Sequence, residues 1–170
     1  MKLNENDSIK YYDERNFWLT CPDEELFRLC KCDFFKSTGK GGQKRNKTSS
    51  AVRLTHLETG VIASADDFRS QHDNRHLALK RLRVELAMYC RSKCSPKVDL
   101  KISKKNSQYC LLIALLCDTI IDNDLNVKAS AEQLSLSSNQ FVKLLYKDSK
   151  LWQHLQLIRE QAGLSRLKRP

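Results

Sequence analysis

The chain has 170 residues, with Lys and Arg numbering 30 against 20 Asp and Glu, for a formal net charge of +10. Hydrophobic residues at 41% and charged residues at 29% are ordinary globular usage, which excludes a fibrous or globally disordered chain and leaves room for one sizeable core or two small ones. No apolar run approaches the roughly 20 residues of a membrane span, and Met1-Lys2-Leu3-Asn4-Glu5-Asn6-Asp7 lacks the apolar core of a signal peptide, so no membrane partner is expected and the cytoplasm is the expected compartment. The charge is uneven: residues 1–30 are net −3, residues 31–106 net +11 and residues 107–170 net +2. Such a basic block suits phosphate backbones, although charge alone is equally compatible with a solvated surface.

In chain order, Thr20-Cys21-Pro22-Asp23-Glu24-Glu25-Leu26-Phe27-Arg28-Leu29 predicts a short helix, with Pro22 suited to its first position and three acids near the positive end of its dipole. Residues 32–37 suit a strand, which runs into Thr38-Gly39-Lys40-Gly41-Gly42-Gln43-Lys44-Arg45-Asn46-Lys47, a basic loop with three glycines. Val52, Leu54 and His56 alternate with Arg53 and Thr55, Glu58-Thr59-Gly60 supplies a turn, and residues 61–65 return, so a β-hairpin is expected. From Gln71 to about Arg91, Leu79, Leu82, Leu86 and Tyr89 form an apolar stripe, with Arg75, Lys80, Arg81 and Arg83 on a basic outer face. Residues 92–106 carry five lysines and Pro96 without periodicity and read as a connection.

Beyond it, residues 109–121 predict a buried helix, Ser130 opens a second, residues 139–146 form a third with Phe141, Leu144 and Leu145 inside, and residues 151–161 form a fourth. The second and third, separated by Ser135-Leu136-Ser137, resemble a helix-turn-helix, a spacing that packing or partner-binding bundles also show.

The glycine-rich loop is neither a P-loop nor a dinucleotide-binding turn, because Gly42 is followed by Gln43 and no helix pattern begins there. What Gly41-Gly42 offers is an approach unobstructed by Cβ, which allows a main-chain N–H to be set beside a substrate; a hairpin tip is the bland alternative.

Residues 37–47 with Ser50-Ala51-Val52-Arg53-Leu54-Thr55-His56, Thr59-Gly60-Val61, Arg69-Ser70-Gln71 and Asn74-Arg75 resemble the GGQ domain of bacterial-type class I peptide chain release factors, over about residues 20–92. Arg45 stands where the larger factors usually carry an aliphatic residue, and Glu58 where Pro is common. The resemblance implies hydrolysis of the ester joining a nascent peptide to transfer RNA, in the peptidyl transferase centre of the ribosome. It makes Gly41, Gly42 and Gln43 the catalytic tripeptide, with the Gln43 backbone N–H directed at the oxyanion formed by water attack. Lys36, Lys40, Lys44, Arg45, Lys47, Arg53, Arg69 and Arg75 are the expected RNA contacts, and Ser37, Gly39, Asn46 and Gln71 the supports of loop and helix. The expected partners are large-subunit ribosomal RNA and peptidyl-tRNA, with a further RNA or protein partner for the C-terminal helices, and the chain is expected to be a monomer. His56, His72 and His76 are expected as surface or strand residues and not as catalytic bases.

The expected fold is α+β, with a GGQ domain and N-terminal helix over residues 1–94, a linker over 95–106 and a helical, helix-turn-helix-like module over 107–170. Because 36 residues precede Ser37, no stop-codon reader is expected there, and codon-independent release of the ribosome-rescue kind is the expected activity. The alternative is a non-catalytic RNA-binding or regulatory protein with a vestigial loop. No cofactor is expected. Seven cysteines in a cytoplasmic chain suggest free thiols or metal ligands. Cys30-x-Cys32 departs from knuckle spacing and lies far in sequence from Cys90-x-x-x-Cys94, so no metal is expected, and Cys110 and Cys117 suit one face of a buried helix.

Overall fold

A computed structural model of the chain describes residues 12–36 and 50–170 and shows an α+β fold in two compact units. The sheet unit runs from Glu14 to Cys90, and the helical unit comprises Arg91–Pro170 with Tyr12 and Asp13.

In the sheet unit, strands β1 (Cys30–Phe35), β2 (Ala51–His56) and β3 (Ile62–Ala65) form one antiparallel sheet in the order β1-β2-β3. Alternation decides its faces: Val52, Leu54 and His56 of β2 and Ala63 and Ala65 of β3 are buried, while Arg53, Ile62 and Ser64 are exposed. Helix α3 (Gln71–Tyr89) packs on β2 and β3, burying Ala78, Leu79, Leu82, Leu86 and Ala87. Small alanines on both surfaces permit that close approach. Two short helices, α1 (Arg15–Thr20) and α2 (Asp23–Arg28), also pack on α3 and bring Trp18, Leu19 and Leu26 into the core.

The observed elements correct several expectations. Pro22 precedes the first turn of α2 as its N-cap, while Asp23, Glu24 and Glu25 fill that turn. Helix α1 was not legible, because its apolar residues carry no helical period and its Arg15 is fully buried. The stripe of α3 does not extend to Tyr89, which is 58% exposed. There the helix ends on an extended Cys90, and the chain buries Met88 and Cys90 instead. Arg83 does not belong to an outer basic face: its guanidinium reaches Asp23 and the Cys21 carbonyl. Arg91 lies beyond α3, buried, with its Nε 3.1 Å from Asp118 and its Nη2 on Asp122.

Residues 92–108 form no helix or strand. In the helical unit, α4 (Tyr109–Asp122) is apolar almost throughout and buries Leu112, Ile113, Leu116 and Ile120. Helix α5 (Val127–Gln133) begins earlier than Ser130, capped by the Asn126 side chain, which accepts from Lys128 N–H at 3.0 Å and Ala129 N–H at 3.2 Å. Ser130 is an interior residue whose hydroxyl donates back to the Asn126 carbonyl at 2.7 Å, a bond that imitates a cap in sequence. Helix α5 closes in a Schellman turn: Leu136 N–H reaches the Ala131 carbonyl at 2.8 Å, Ser135 N–H reaches Glu132 at 3.0 Å, and Ser135 takes the left-handed φ of 55°.

Ser137 then opens α6 (Ser138–Tyr146) with a capping box, its hydroxyl accepting from Gln140 N–H while Gln140 accepts from Ser137 N–H at 2.9 Å. Phe141 and Leu145 are buried, and Leu144 is only half-buried. Asp148 caps α7 (Ser149–Gln161) and also receives the Tyr109 hydroxyl at 3.2 Å. Among the described residues no helix is long and apolar enough to cross a membrane.

Candidate functional site

The β1–β2 register sets the base of the candidate site. Phe35 faces Ala51, so Lys36 and Ser50 emerge at the same end of the sheet. Gly41, Gly42 and Gln43, with Ser37, Gly39, Lys40, Lys44, Arg45, Asn46 and Lys47, lie outside the described residues. What is described is how the chain is held where that segment rejoins the sheet.

Asn74 does this. It lies on the buried side of α3, fully enclosed, and its amide makes three bonds to backbone. Its Nδ2 donates to the Ser50 carbonyl and to the Phe68 carbonyl, both at 2.8 Å, and its Oδ1 accepts from Phe68 N–H at 2.9 Å. One side chain therefore joins the start of β2 to the loop entering α3. Ser70 caps that helix by accepting from Asp73 N–H at 3.2 Å. Sequence reading assigned no role to Asn74; a lone amide four residues before Ala78, in register with the apolar stripe, was the available signal.

The expected RNA-contacting side chains of the described part separate into different settings. Lys36 and Arg69 are exposed, as is the expected support Gln71 at the first position of α3. Arg53 points out from β2 with its guanidinium 5.0 Å from the Phe35 ring centre. Arg75 lies 5.2 Å from the Phe27 ring centre. Such stacking holds a guanidinium in place while leaving its edge available to an anion.

Arg75 also borders a cluster that the sequence did not reveal. Its Nη2 is 3.5 Å from His72 Nδ1, His72 Nε2 is 3.1 Å from His76 Nε2, and His76 Nδ1 is 2.9 Å from Asp23 Oδ2. Arginine can only donate and the carboxylate can only accept, which fixes the two ends of the chain as donor at Arg75 and acceptor at Asp23. Burial pushes the Asp23 carboxyl up, but the hydrogen bonds from His76 and Arg83 outweigh it and hold the group below its usual range. A shallow cleft of about 240 Å³ lies here, lined by Phe27, Arg28, Arg75, His76 and Leu79 beside Asp23 and Glu24.

His56 is enclosed in the core, not at the surface. Its ring centre is 4.4 Å from that of Trp18, and its Nδ1 is 3.0 Å from the Thr59 hydroxyl. Burial pushes its pKa below 6.5, which keeps the ring neutral and unlike a catalytic base at the surface. Among the described residues no disulfide joins any of the seven cysteines. Burial raises the Cys30 and Cys90 thiols to about 11, so both are protonated at neutral pH. Cys110 and Cys117 lie in the core of the helical unit. Among the described residues no group of three or more His, Cys, Asp or Glu side chains is placed to hold a metal ion.

Comparison with known proteins adds the family context of this geometry. A model of the RF-1 domain matches residues 26–110, half of the chain. Peptide chain release factor 2 of Borreliella burgdorferi is 49% identical over 63 residues, covering 37% of this chain and 18% of the relative. Peptide chain release factor 1 of Xylella fastidiosa is 55% identical over 56 residues, 33% of this chain and 16% of the relative. Peptide chain release factor 1 of Lactiplantibacillus plantarum is 51% identical over 69 residues, 41% of this chain and 19% of the relative. The chain thus spans less than a fifth of the length of these relatives.

Proposed function

The chain belongs to the RF-1 domain family, and from that membership we propose that it hydrolyses the peptidyl-tRNA ester in the peptidyl transferase centre of the ribosome, without requiring a stop codon in the decoding site. The observation that carries the reading is the Gly41-Gly42-Gln43 tripeptide in a basic segment inside the part of the chain that the family model matches.

Ester hydrolysis by water builds negative charge on the carbonyl oxygen. A backbone N–H already aimed at that oxygen stabilises the charge without reorganising, an effect of several kcal/mol. The Gln43 N–H supplies it, the Gln43 side chain positions the water and excludes larger nucleophiles, and Gly41 and Gly42 give the backbone its conformation. No nucleophilic side chain is needed. The Asn74 bonds to Ser50 and Phe68 support this reading because a catalytic segment must be anchored where it meets the rigid sheet. Lys36, Lys40, Lys44, Arg45 and Lys47, with Arg53, Arg69 and Arg75, hold the domain against ribosomal RNA phosphates. The reaction takes place in the cytoplasm.

The test is peptide release from purified ribosomes that carry peptidyl-tRNA and a truncated message, a sense codon or a stop codon. Release is expected on all three, and Gly42→Ala and Gln43→Ala are expected to lower it by about 10²–10³-fold with ribosome affinity nearly unchanged. Activity confined to the stop-codon complex refutes codon independence, and undiminished release by Gly42→Ala refutes the catalytic assignment.

A further inference from the structure

We infer that α5 and α6 form a helix-turn-helix that docks on double-helical RNA, with α6 lying against the duplex. The inference rests on the proposed ribosomal reading for the identity of the nucleic acid, and on the helical unit's own geometry for the surface.

The turn is built, not merely permitted. It is closed from the α5 side by the backbone Schellman bonds around Ser135 and from the α6 side by the side-chain-to-backbone bonds of the Ser137–Gln140 capping box, so hydrogen bonds constrain the turn at both ends. Phe141 and Leu145 then fix the rotation of α6 about its axis, both being fully buried. The opposite side is left to solvent, and Asn139, Lys143 and Lys147 stand along it at i, i+4 and i+8, all exposed. They form one line, stepping about 6 Å per residue pair along the helix.

The chemistry of that line selects a phosphate-bearing partner. No carboxylate occurs between Gln133 and Lys147, so nothing on the turn or on α6 repels an anion. Two lysines along one ridge can each neutralise a phosphate, and an amide at the α6 N-terminal end can reach a groove edge. Among duplexes, the proposed ribosomal reading selects RNA; lysine and asparagine can also meet guanine and adenine in the major groove of B-form DNA, which is why the test compares the two duplexes. The wide, shallow minor groove of A-form RNA presents 2′-hydroxyls, which short hydroxyl and amide side chains such as Ser138 and Asn139 are suited to meet.

Fluorescence anisotropy of the full chain with a blunt RNA duplex and a DNA duplex of the same sequence tests the inference. RNA is expected to bind more tightly. The exposed double substitution Lys143→Glu/Lys147→Glu is expected to weaken RNA binding at least tenfold and to reduce the log–log salt slope by more than about 1. Lys128→Glu, an exposed charge reversal on α5, is the control and is expected to change affinity less than twofold, with circular dichroism confirming that all variants are folded. DNA binding as tight as RNA binding makes the unit a DNA reader and overturns the choice of partner. Equal effects of the Lys128 and Lys143/Lys147 reversals reduce the surface to a general basic coat and overturn the site. Gln43→Ala must leave duplex affinity unchanged, so a chain inactive in release can still sustain this inference, and an active one can still fail it.

Discussion

Asn74 uses both halves of its amide on backbone groups that no other described side chain satisfies, and this makes it the residue through which sheet, loop and helix are coordinated. Asn74→Ala strands the Ser50 and Phe68 carbonyls and the Phe68 N–H in a part-buried setting. Each lost partner costs about 1 kcal/mol or more, so urea unfolding is expected to show a loss of about 2–4 kcal/mol. If the segment before Ser50 is anchored for catalysis as proposed, peptide release by this variant falls more than its folded fraction does, while ribosome affinity stays near wild type. His56 supports a second expectation at this scale. Its folded pKa lies below the 6.5 of the free side chain, so the unfolded chain binds the extra proton first. Stability is therefore present above about pH 6.5 and lost as pH falls below it. Asp23 and Asp67, with carboxyls held below 3.8, act in a separate and more acidic window, lost only as pH falls through that range. Thermal melts between pH 7 and pH 5 should show declining stability in the wild type and a flatter profile for His56→Gln, which keeps a polar partner for Thr59 without the titration.

Among the elements, the turn between α5 and α6 is where local chemistry decides most. A non-glycine residue at φ 55° carries a steric cost of about 1 kcal/mol, and Ser135 pays it for the Schellman geometry. Ser135→Gly is accordingly expected to raise the stability of the helical unit by about 0.5–1 kcal/mol, whereas Ser137→Ala removes the capping box and lowers it by about 1 kcal/mol; chemical denaturation followed at Trp152 checks both. These residues also show what a sequence reveals and what it conceals. The hairpin, α3, α4, α6 and α7 were legible because period-2 or 3.6-residue apolar patterns reflect burial directly. The start of α5 was concealed because Ser130 and Asn126 are both plausible caps, and only the direction of the Ser130 hydroxyl separates them. Helix α1 was concealed by its buried Arg15, and the end of the α3 stripe by the change to extended backbone at Cys90. In the candidate site the tripeptide is a local sequence motif that lies outside the described residues. The Asn74 anchor and the Asp23–His76–His72 chain were not legible, because they depend on pairings between residues far apart in sequence.

On the scale of the whole molecule, the charge of the basic segment exceeds what a polyanion can use. Residues 31–106 carry 18 basic side chains, but Lys31 is paired with Asp33, Arg81 with Asp67, Arg83 with Asp23, Arg91 with Asp118 and Asp122, and Lys104 with Asp148. Cations already neutralised within the fold release no counterions when a phosphate approaches, because they would have to give up one anion to gain another. The salt dependence of the proposed ribosome binding should therefore report the exposed basic residues outside these pairs and not the formal charge of the segment. Removing one phosphate contact lowers the magnitude of the log–log salt slope by about 0.7–0.9. Lys36→Ala, at an exposed position beside the tripeptide segment, is expected to produce that change with the melting temperature unaltered. Arg83→Ala, whose guanidinium is mostly buried against Asp23 and the Cys21 carbonyl, is expected to do the opposite, lowering the melting temperature and leaving the salt slope in place. Titrations of ribosomes with each variant between 50 and 200 mM salt, a range of about fourfold, separate the two kinds of charge. Equal slope changes from both substitutions mean that Arg83 exchanges Asp23 for an RNA phosphate on binding, and that the ion pairs of the sheet unit open at the ribosome.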